Sequence, residues 1–174
     1  GDMLHIVSVG RLAPEKHFEN VFPAAKALRQ AGIDFAWHVI GDGPERSKLE
    51  TLIAENDLKD HVILDGSKTN PYPYMKYADL FVHPSYVESQ GLTVLEAMAL
   101  GVPCVVTKSR GPCEFIEDGV NGLLTEQSPE SLTEKVLSIL TDKTLFQSIK
   151  ENTVCPEQFA PDRVMKQIEE LIDG

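Results

Sequence analysis

The chain has 174 residues, of which 42% are hydrophobic and 25% charged, a composition typical of one globular domain. It argues against a disordered chain, a collagen-like repeat and a small disulfide-built protein, and no apolar run reaches the roughly 20 residues of a transmembrane helix. The formal net charge of −11 disfavours nucleic acid as a partner, because such a field repels polyanions.

Predicted strands and helices alternate along the chain, with strands bounded by glycine, proline or polar residues and helices carrying apolar residues three or four apart. Strands are predicted at residues 5–9, 35–40, 62–64, 80–82, 103–106 and 123–124. Helices are predicted at residues 19–31, 46–55, 73–77, 92–100, 128–140, 144–150 and 161–172, with a helical turn at residues 115–116.

Strands that are wholly apolar and separated by helices are typical of a parallel sheet covered on both faces. With right-handed crossovers, this pattern predicts one doubly wound, Rossmann-like α/β domain of about six strands. Such sheets bind ligands at the carboxyl ends of their strands, so we expect function to lie in the loops that follow the strands.

The loops after the first two predicted strands carry glycines and cations. Gly10 permits a tight turn, and Arg11 and Lys16 follow it. Two fixed cations suit a pyrophosphate, although two solvated charges near a helix start would give the same pattern. Gly41 and Gly43 either allow close backbone approach to a ligand or form a plain turn, and no dinucleotide-binding fingerprint follows them.

The loop after the fourth predicted strand leads from Glu88 through Gly91 into an apolar helix that contains Glu96. A helix start presents free amides and a partial positive charge, which attract phosphate. Glu96 either contacts a ligand or points outward from a half-buried helix. The two carboxylates fit a glycosidase acid/base pair, and they also fit two groups that each bind sugar hydroxyls without proton transfer.

Residues 88–96, followed by Ala97-Met98-Ala99 and Gly101-Val102-Pro103, resemble the E-x7-E motif of retaining glycosyltransferases of group 1, also called family 4. Residues 10–12 with Lys16 match the phosphate-binding motif of this family, and residues 41–44, 84–85 and 121–124 match further landmarks in order. The resemblance covers residues 5–140 and implies the carboxyl-terminal, donor-binding domain of the two-domain GT-B architecture.

This resemblance implies a role for three residues in catalysis. Arg11 and Lys16 would bind the donor diphosphate and stabilise it as a leaving group, and Glu88 would hold the donor sugar hydroxyls near the reacting carbon. General chemistry is consistent with this scheme, because fixed cations aimed at developing negative charge lower a reaction barrier.

The resemblance also implies the remaining contacts to the nucleotide sugar. Glu96 would bind the ribose hydroxyls, Ser67 and Lys68 would meet the base, and Gly41 would lie against the ligand. Backbone amides would bind phosphate or the transferred sugar at Gly91, Leu92 and Thr93.

The donor is expected to be a UDP-sugar, since residues 70–72 resemble a segment of family members that use UDP-linked hexoses or amino sugars; GDP- and ADP-sugars remain open. The family needs no metal, and the sequence shows no Asp-x-Asp pair or histidine cluster. The implied reaction transfers a hexosyl unit to a glycan or lipid-linked acceptor. We expect no cofactor beyond this donor.

The domain prediction assigns residues 1–3 to a remnant of expression, residues 4–154 to the nucleotide-sugar-binding domain and residues 155–174 to a crossover helix, with a hinge at residues 151–161. The family's amino-terminal acceptor domain is expected to be absent, so the chain alone should bind donor but transfer little.

No signal peptide is expected, and the odd number of cysteines indicates reduced thiols in the cytoplasm. The resemblance allows peripheral membrane association of the full enzyme.

Three positions depart from the family pattern. His17 follows Lys16 in place of the usual glycine, Gln90 replaces a frequent aromatic residue, and residues 109–112 lack a glycine pair.

Two other functions remain as alternatives. A receiver-like regulatory module would need an acidic cluster after the first strand, and a nicotinamide-dependent oxidoreductase would need the glycine fingerprint.

Overall fold

A computed structural model describes residues 2–154 and 161–173, and these form one α/β domain. The strands are β1 (Leu4–Val9), β2 (Phe35–Ile40), β3 (Val62–Gly66), β4 (Leu80–His83), β5 (Cys104–Thr107) and β6 (Leu123–Thr125). The helices are α1 (Val21–Gln30), α2 (Arg46–Glu55), α3 (Tyr72–Lys76), α4 (Leu92–Ala99), α5 (Pro129–Thr141), α6 (Lys143–Asn152) and α7 (Pro161–Asp173).

The strands form a parallel sheet in the order β3-β2-β1-β4-β5-β6. β1 pairs with β2 on one side and with β4 on the other, where Ile6 lies opposite Leu80. The direction of winding therefore reverses between β1 and β4, and the loops that follow these two strands diverge there to leave a crevice. The predicted doubly wound parallel sheet is confirmed.

Two apolar layers cover the sheet, because successive side chains of a strand point to opposite faces. Ile6 and Trp37, both fully buried, face the layer that contains α1, α2 and α5. Val7 and Phe81 belong to the opposite layer, which contains α3 and α4. Burial on both faces explains why the strands are apolar at nearly every position.

The segment between β1 and α1 differs from the prediction. The helix predicted from residue 19 begins at Val21 and is preceded by two 3₁₀ helices, Pro14–Lys16 and Phe18–Asn20. His17 separates them in a left-handed conformation with φ of 51°, which a continuous helix cannot contain. The turn predicted at residues 115–116 is instead a 3₁₀ helix at Pro112–Glu114, started by its proline.

The terminal helix α7 packs against α3 and α4. Its Ile168 is buried, and the Asn70 side-chain amide donates a hydrogen bond of 2.6 Å to the carbonyl of Leu171. The predicted hinge lies partly outside the described residues, because residues 155–160 are not among them. No helix in the described part of the chain is long and apolar enough to cross a bilayer.

Candidate functional site

A pocket of about 350 Å³ lies at the carboxyl ends of β1, β2 and β3, and we call it the strand-end pocket. The residues that line it are Val9, Gly10, Arg11, Ile40, Gly41, Asp42, Ser67, Lys68 and Pro71. It therefore brings together four of the predicted site residues, which come from the loops after three different strands. A larger pocket of about 590 Å³, lined mainly by residues of α1 and α2, contains none of them.

Two glycines let the loops after β1 and β2 lie in direct contact. A Cβ atom on Gly41 would lie 1.8 Å from the Gly10 carbonyl oxygen, and one on Gly43 would lie 2.5 Å from that of Leu12. The amide of Leu12 donates to the carbonyl of Asp42 over 3.0 Å. The close contact that these two glycines permit is therefore made with the chain's own backbone, and the approach of Gly41 to a ligand stays a prediction.

Lys16 and Glu88 form an ion pair across the crevice between β1 and β4. Lys16 Nζ donates to Glu88 Oε2 over 3.1 Å, and Nε2 of His83 lies 3.2 Å from the same oxygen. Because an ionised carboxylate can only accept, this His83 nitrogen must carry the proton. The side chains of Lys16 and Glu88 are 23% and 18% exposed, so water screens their attraction only partly.

These contacts stabilise the charged form of Glu88. The hydrogen bond from His83, the charges of His83 and Lys16 and the Lys16 hydrogen bond together lower the pKa of Glu88 from 4.5 to about 2, against the opposing effect of burial. Glu88 is consequently a fixed carboxylate at neutral pH. His83, the last residue of β4, is a direct partner of the predicted catalytic carboxylate.

His17 adopts the left-handed conformation that glycine adopts without strain. For an ordinary residue this conformation costs about 1–2 kcal/mol. The imidazole of His17 stacks on the Tyr86 ring with centroids 3.5 Å apart, and its Nδ1 lies 3.2 Å from Glu19 Oε1. An aromatic stack contributes roughly 0.5–1.5 kcal/mol, which offsets most of the strain. The histidine that departs from the family pattern thus occupies a glycine-like position by means of its own ring contact.

The amino terminus of α4 follows Gly91, which has φ of 77° and faces Phe115 and Pro112. A Cβ atom on Gly91 would lie 3.0 Å from the Phe115 ring, so only glycine fits without a shift. The first amides of α4, at Leu92 and Thr93, have no partner within the helix and are available to an anion. The Leu92 side chain is 55% exposed, so it leaves this end of the helix open to solvent.

Unpaired polar atoms are concentrated at this edge of the sheet. In the described part of the chain, the buried side-chain atoms without a hydrogen-bond partner are His83 Nδ1, Thr93 Oγ1 and Ser109 Oγ. These residues end β4, begin α4 and follow β5. Buried polar atoms are usually satisfied, and exceptions are found at functional sites.

Glu96 points inward rather than outward. It is only 8% exposed, and its carboxyl group lies close enough to the Tyr72 side chain for each group to affect the pKa of the other. Burial raises the pKa of Glu96, and burial together with the Glu96 contact raises the pKa of Tyr72. Tyr72 directly follows Pro71, which lines the strand-end pocket. Tyr72, the first residue of α3, therefore contacts a predicted site residue.

The predicted site residues therefore fall into neighbouring groups along one edge. The strand-end pocket holds Arg11, Gly41, Ser67 and Lys68, while Lys16 pairs with Glu88 and the start of α4 follows. Glu88 and Glu96 have different partners, His83 and Lys16 for one and Tyr72 for the other. Among residues 2–154 and 161–173, no three His, Cys, Asp or Glu side chains are grouped to hold a metal ion.

Curated relatives of this chain include glycosyltransferases. An uncharacterised glycosyltransferase of Methanocaldococcus jannaschii is 33% identical over 155 residues, which cover 87% of this chain and 42% of the relative. The alpha-D-kanosaminyltransferase of Streptomyces kanamyceticus is 34% identical over 151 residues, or 84% of this chain and 39% of the relative. The chain thus spans about two fifths of the length of these relatives.

Solved structures of other proteins have the same fold. HepE from Anabaena, in complex with UDP and glucose, superposes with a TM-score of 0.81 at 26% identity, over 98% of this chain and 48% of that one. The C-terminal domain of LpcC from Francisella tularensis, a group 1 family glycosyl transferase, has a TM-score of 0.76 at 28% identity, over 86% of this chain and 82% of that domain.

A family model described as "Glycosyl transferases group 1" matches residues 2–154, which include the whole sheet and every predicted site residue. This match leaves no support for the receiver-like and oxidoreductase alternatives. The sheet topology, the strand-end pocket and the glycines that follow β1 and β2 agree with the donor-binding half of a GT-B enzyme. The chain therefore belongs to the group 1 glycosyl transferases and has the fold of their carboxyl-terminal domain.

Proposed function

We propose that this chain is the donor-binding domain of a retaining, metal-independent glycosyltransferase that uses a UDP-sugar. The observation that carries the proposal is the placement of Arg11 and the Lys16–Glu88 pair at one sheet edge, next to the open start of α4. The complex of HepE with UDP and glucose supports UDP as the nucleotide. GDP and ADP are the competing nucleotides that the experiment below includes.

The diphosphate would be bound by Arg11, Lys16 and the first amides of α4. Sugar transfer leaves negative charge on the departing diphosphate, and donors already aimed at it need no rearrangement as that charge develops. Each charge-assisted hydrogen bond contributes about 1.5–3 kcal/mol, so several together stabilise the leaving group substantially. This donor set is the basis for proposing that no metal is required.

Glu88 would hold the sugar. Lys16 and His83 both contact Oε2, so Oε1 is the oxygen proposed to accept from a sugar hydroxyl. The reacting carbon gains positive character as the diphosphate leaves, and an ionised carboxylate nearby stabilises it. The low pKa of Glu88 keeps this charge in place at neutral pH. Retention of the anomeric configuration is proposed from the family resemblance.

Glu96 would accept from the ribose hydroxyls, and residues of the loop after β3 would meet the base. Burial of Glu96 beside Tyr72 gives a rigid acceptor, and Tyr72 directly follows Pro71 of the strand-end pocket. Ser67 and Lys68 line that pocket, and Lys68 Nζ lies 5.6 Å from the centroid of the Tyr74 ring. A uracil ring would thus be placed at the outer end of the pocket.

The acceptor, proposed as a glycan or a lipid-linked glycan, would be bound by an amino-terminal domain. Because the chain spans only about two fifths of its curated relatives, transfer is proposed for the two-domain enzyme and donor binding for this chain alone. In the two-domain enzyme the edge that carries Glu88 would face the acceptor domain. Hydrolysis or transfer by this chain alone should be close to background.

The test is calorimetric titration and thermal denaturation of the chain with UDP, GDP, ADP and NAD. UDP should bind most tightly and raise the melting temperature, and Arg11→Ala with Lys16→Ala should abolish the effect. A matched control, Lys48→Ala with Lys143→Ala, removes two exposed cations from α2 and α6 and should bind UDP like the wild type. The proposal is wrong if no nucleotide shifts the melting temperature at millimolar concentration, or if the two double variants behave alike.

A further inference from the structure

His17 and Tyr86 connect the loop that carries Lys16 to the loop that carries Glu88, and we call their ring contact the His17–Tyr86 stack. The rings lie 3.5 Å apart at 16°. Two hydrogen bonds between the same segments flank the stack. Asn20 Nδ2 donates to the Tyr86 hydroxyl over 3.0 Å, and the Tyr86 amide donates to the Glu15 carbonyl over 3.2 Å.

The Tyr86 side of the stack is itself fixed to the rest of the sheet edge. Gln127 Nε2 donates to the carbonyls of Tyr86 and Lys108, at 3.0 and 3.1 Å. The amide of Gly111 donates to the carbonyl of Glu88 over 2.9 Å. The loop after β4 is therefore attached to the segment that follows β5, and Tyr86 provides a rigid surface for the His17 ring.

Each residue of the His17–Tyr86 stack is close in sequence to one residue of the Lys16–Glu88 pair. His17 directly follows Lys16, and Tyr86 precedes Glu88 by two residues. The left-handed backbone at His17 sets the direction in which the chain leaves Lys16, and the ring contact holds that backbone in place. A glycine at the same position would adopt this conformation among many others, with nothing to select it.

We infer that His17 and Tyr86 are positioning residues that hold the Lys16 ammonium against the place of the donor diphosphate. This inference rests on the proposed function. Neither ring is assigned a contact with the donor, and the stack acts through Lys16. Removing it should weaken binding of the diphosphate while leaving the nucleoside contacts at the strand-end pocket intact.

The experiment compares UDP with uridine, because uridine lacks the phosphates that Lys16 would meet. UDP affinity is measured by calorimetry and uridine affinity by nuclear magnetic resonance titration. His17→Gly and Tyr86→Leu should each weaken UDP binding by about fivefold to tenfold, the upper part of the range of about twofold to twelvefold that one aromatic stack supports, with uridine binding unchanged. Tyr86→Phe keeps the ring and should stay within about twofold of the wild type.

Asp57→Gly is the matched control for backbone freedom. Asp57 is the other non-glycine residue with positive φ in the described part of the chain, at 53°, and it lies between α2 and β3 at the opposite edge of the sheet. This variant should bind UDP and uridine like the wild type. If Asp57→Gly weakens UDP binding as much as His17→Gly does, general loosening explains the effect and the inference is overturned.

A double-variant cycle tests whether the stack works through Lys16. In a Lys16→Met background, His17→Gly should cause no further loss of UDP affinity, because the group that it positions is gone. Additive losses would overturn the inference. The cycle also separates the two proposals: a wild-type chain that binds UDP no tighter than uridine refutes the diphosphate site itself, whereas an unchanged UDP preference in His17→Gly refutes only the stack.

Discussion

The charge of Glu88 should make a measurable, pH-dependent contribution to stability. Its pKa is about 2 in the folded chain and 4.5 as an unperturbed carboxyl, a difference that corresponds to roughly 3 kcal/mol. Because the pKa of Glu88 is lower in the folded chain, its charge stabilises the folded state fully at pH values above 4.5. This contribution is lost as the pH falls toward 2. From these two values, roughly 0.8 kcal/mol is lost by pH 4 and roughly 2 kcal/mol by pH 3.

Glu88→Gln removes this charge while keeping the shape of the side chain. Urea denaturation should show a variant less stable than the wild type by about 2–3 kcal/mol at pH 7, with the gap narrowing steadily toward pH 3. Glu126→Gln is the control, because its pair with Lys108 is largely exposed and should change stability little at any pH. A gap of constant size from pH 7 to pH 3 would refute the assignment of Glu88 as a carboxylate stabilised by His83 and Lys16.

Two further predictions follow from packing. Gly41→Ala should lower the free energy of unfolding, measured by urea denaturation, by about 3 kcal/mol, because its Cβ atom would overlap the Gly10 carbonyl. The control Gly32→Ala has open space around its Cβ atom and should lower it by only about 1 kcal/mol. Equal losses in the two variants would contradict the close contact at Gly41. In a Cys155→Ser background, which leaves two cysteines, a thiol reagent should label the exposed Cys113 in the folded chain. Cys104 is buried, and burial raises the pKa of its thiol, so it should be labelled only after unfolding. Prompt labelling of both thiols would contradict this burial.

The sheet could be predicted from the sequence because its strands are apolar on both faces and short. β2 and α2 have the predicted bounds, and the ends of the other strands differ by one or two residues. The segment between β1 and α1 could not be predicted in this way. Its conformation depends on His17 stacking on Tyr86, a contact between residues far apart in sequence, and local propensity does not contain that information.

The candidate site was predictable to a similar degree. Glycines, cations and carboxylates after the strands pointed to Arg11, Lys16 and Glu88, because the topology of a parallel sheet alone brings such loops together. The buried partners were harder to identify. His83 ends an apolar strand and Tyr72 begins a short helix, and both residue types occur commonly in cores. Their contacts with Glu88 and Glu96 depend on side-chain directions, which only the three-dimensional structure provides.

The ion pair between Lys16 and Glu88 joins positions 72 residues apart, across the central β1–β4 pairing of the sheet. During synthesis, the first half of the chain emerges with its cations in place but without the carboxylate and helix that complete the site. The proposed recognition of a ligand would consequently be acquired late, after β4 has inserted beside β1 and the 72-residue separation between Lys16 and Glu88 has been closed. A truncated chain that ends before β4 should therefore bind the nucleotide much more weakly than the whole chain, even where its early strands and helices have formed.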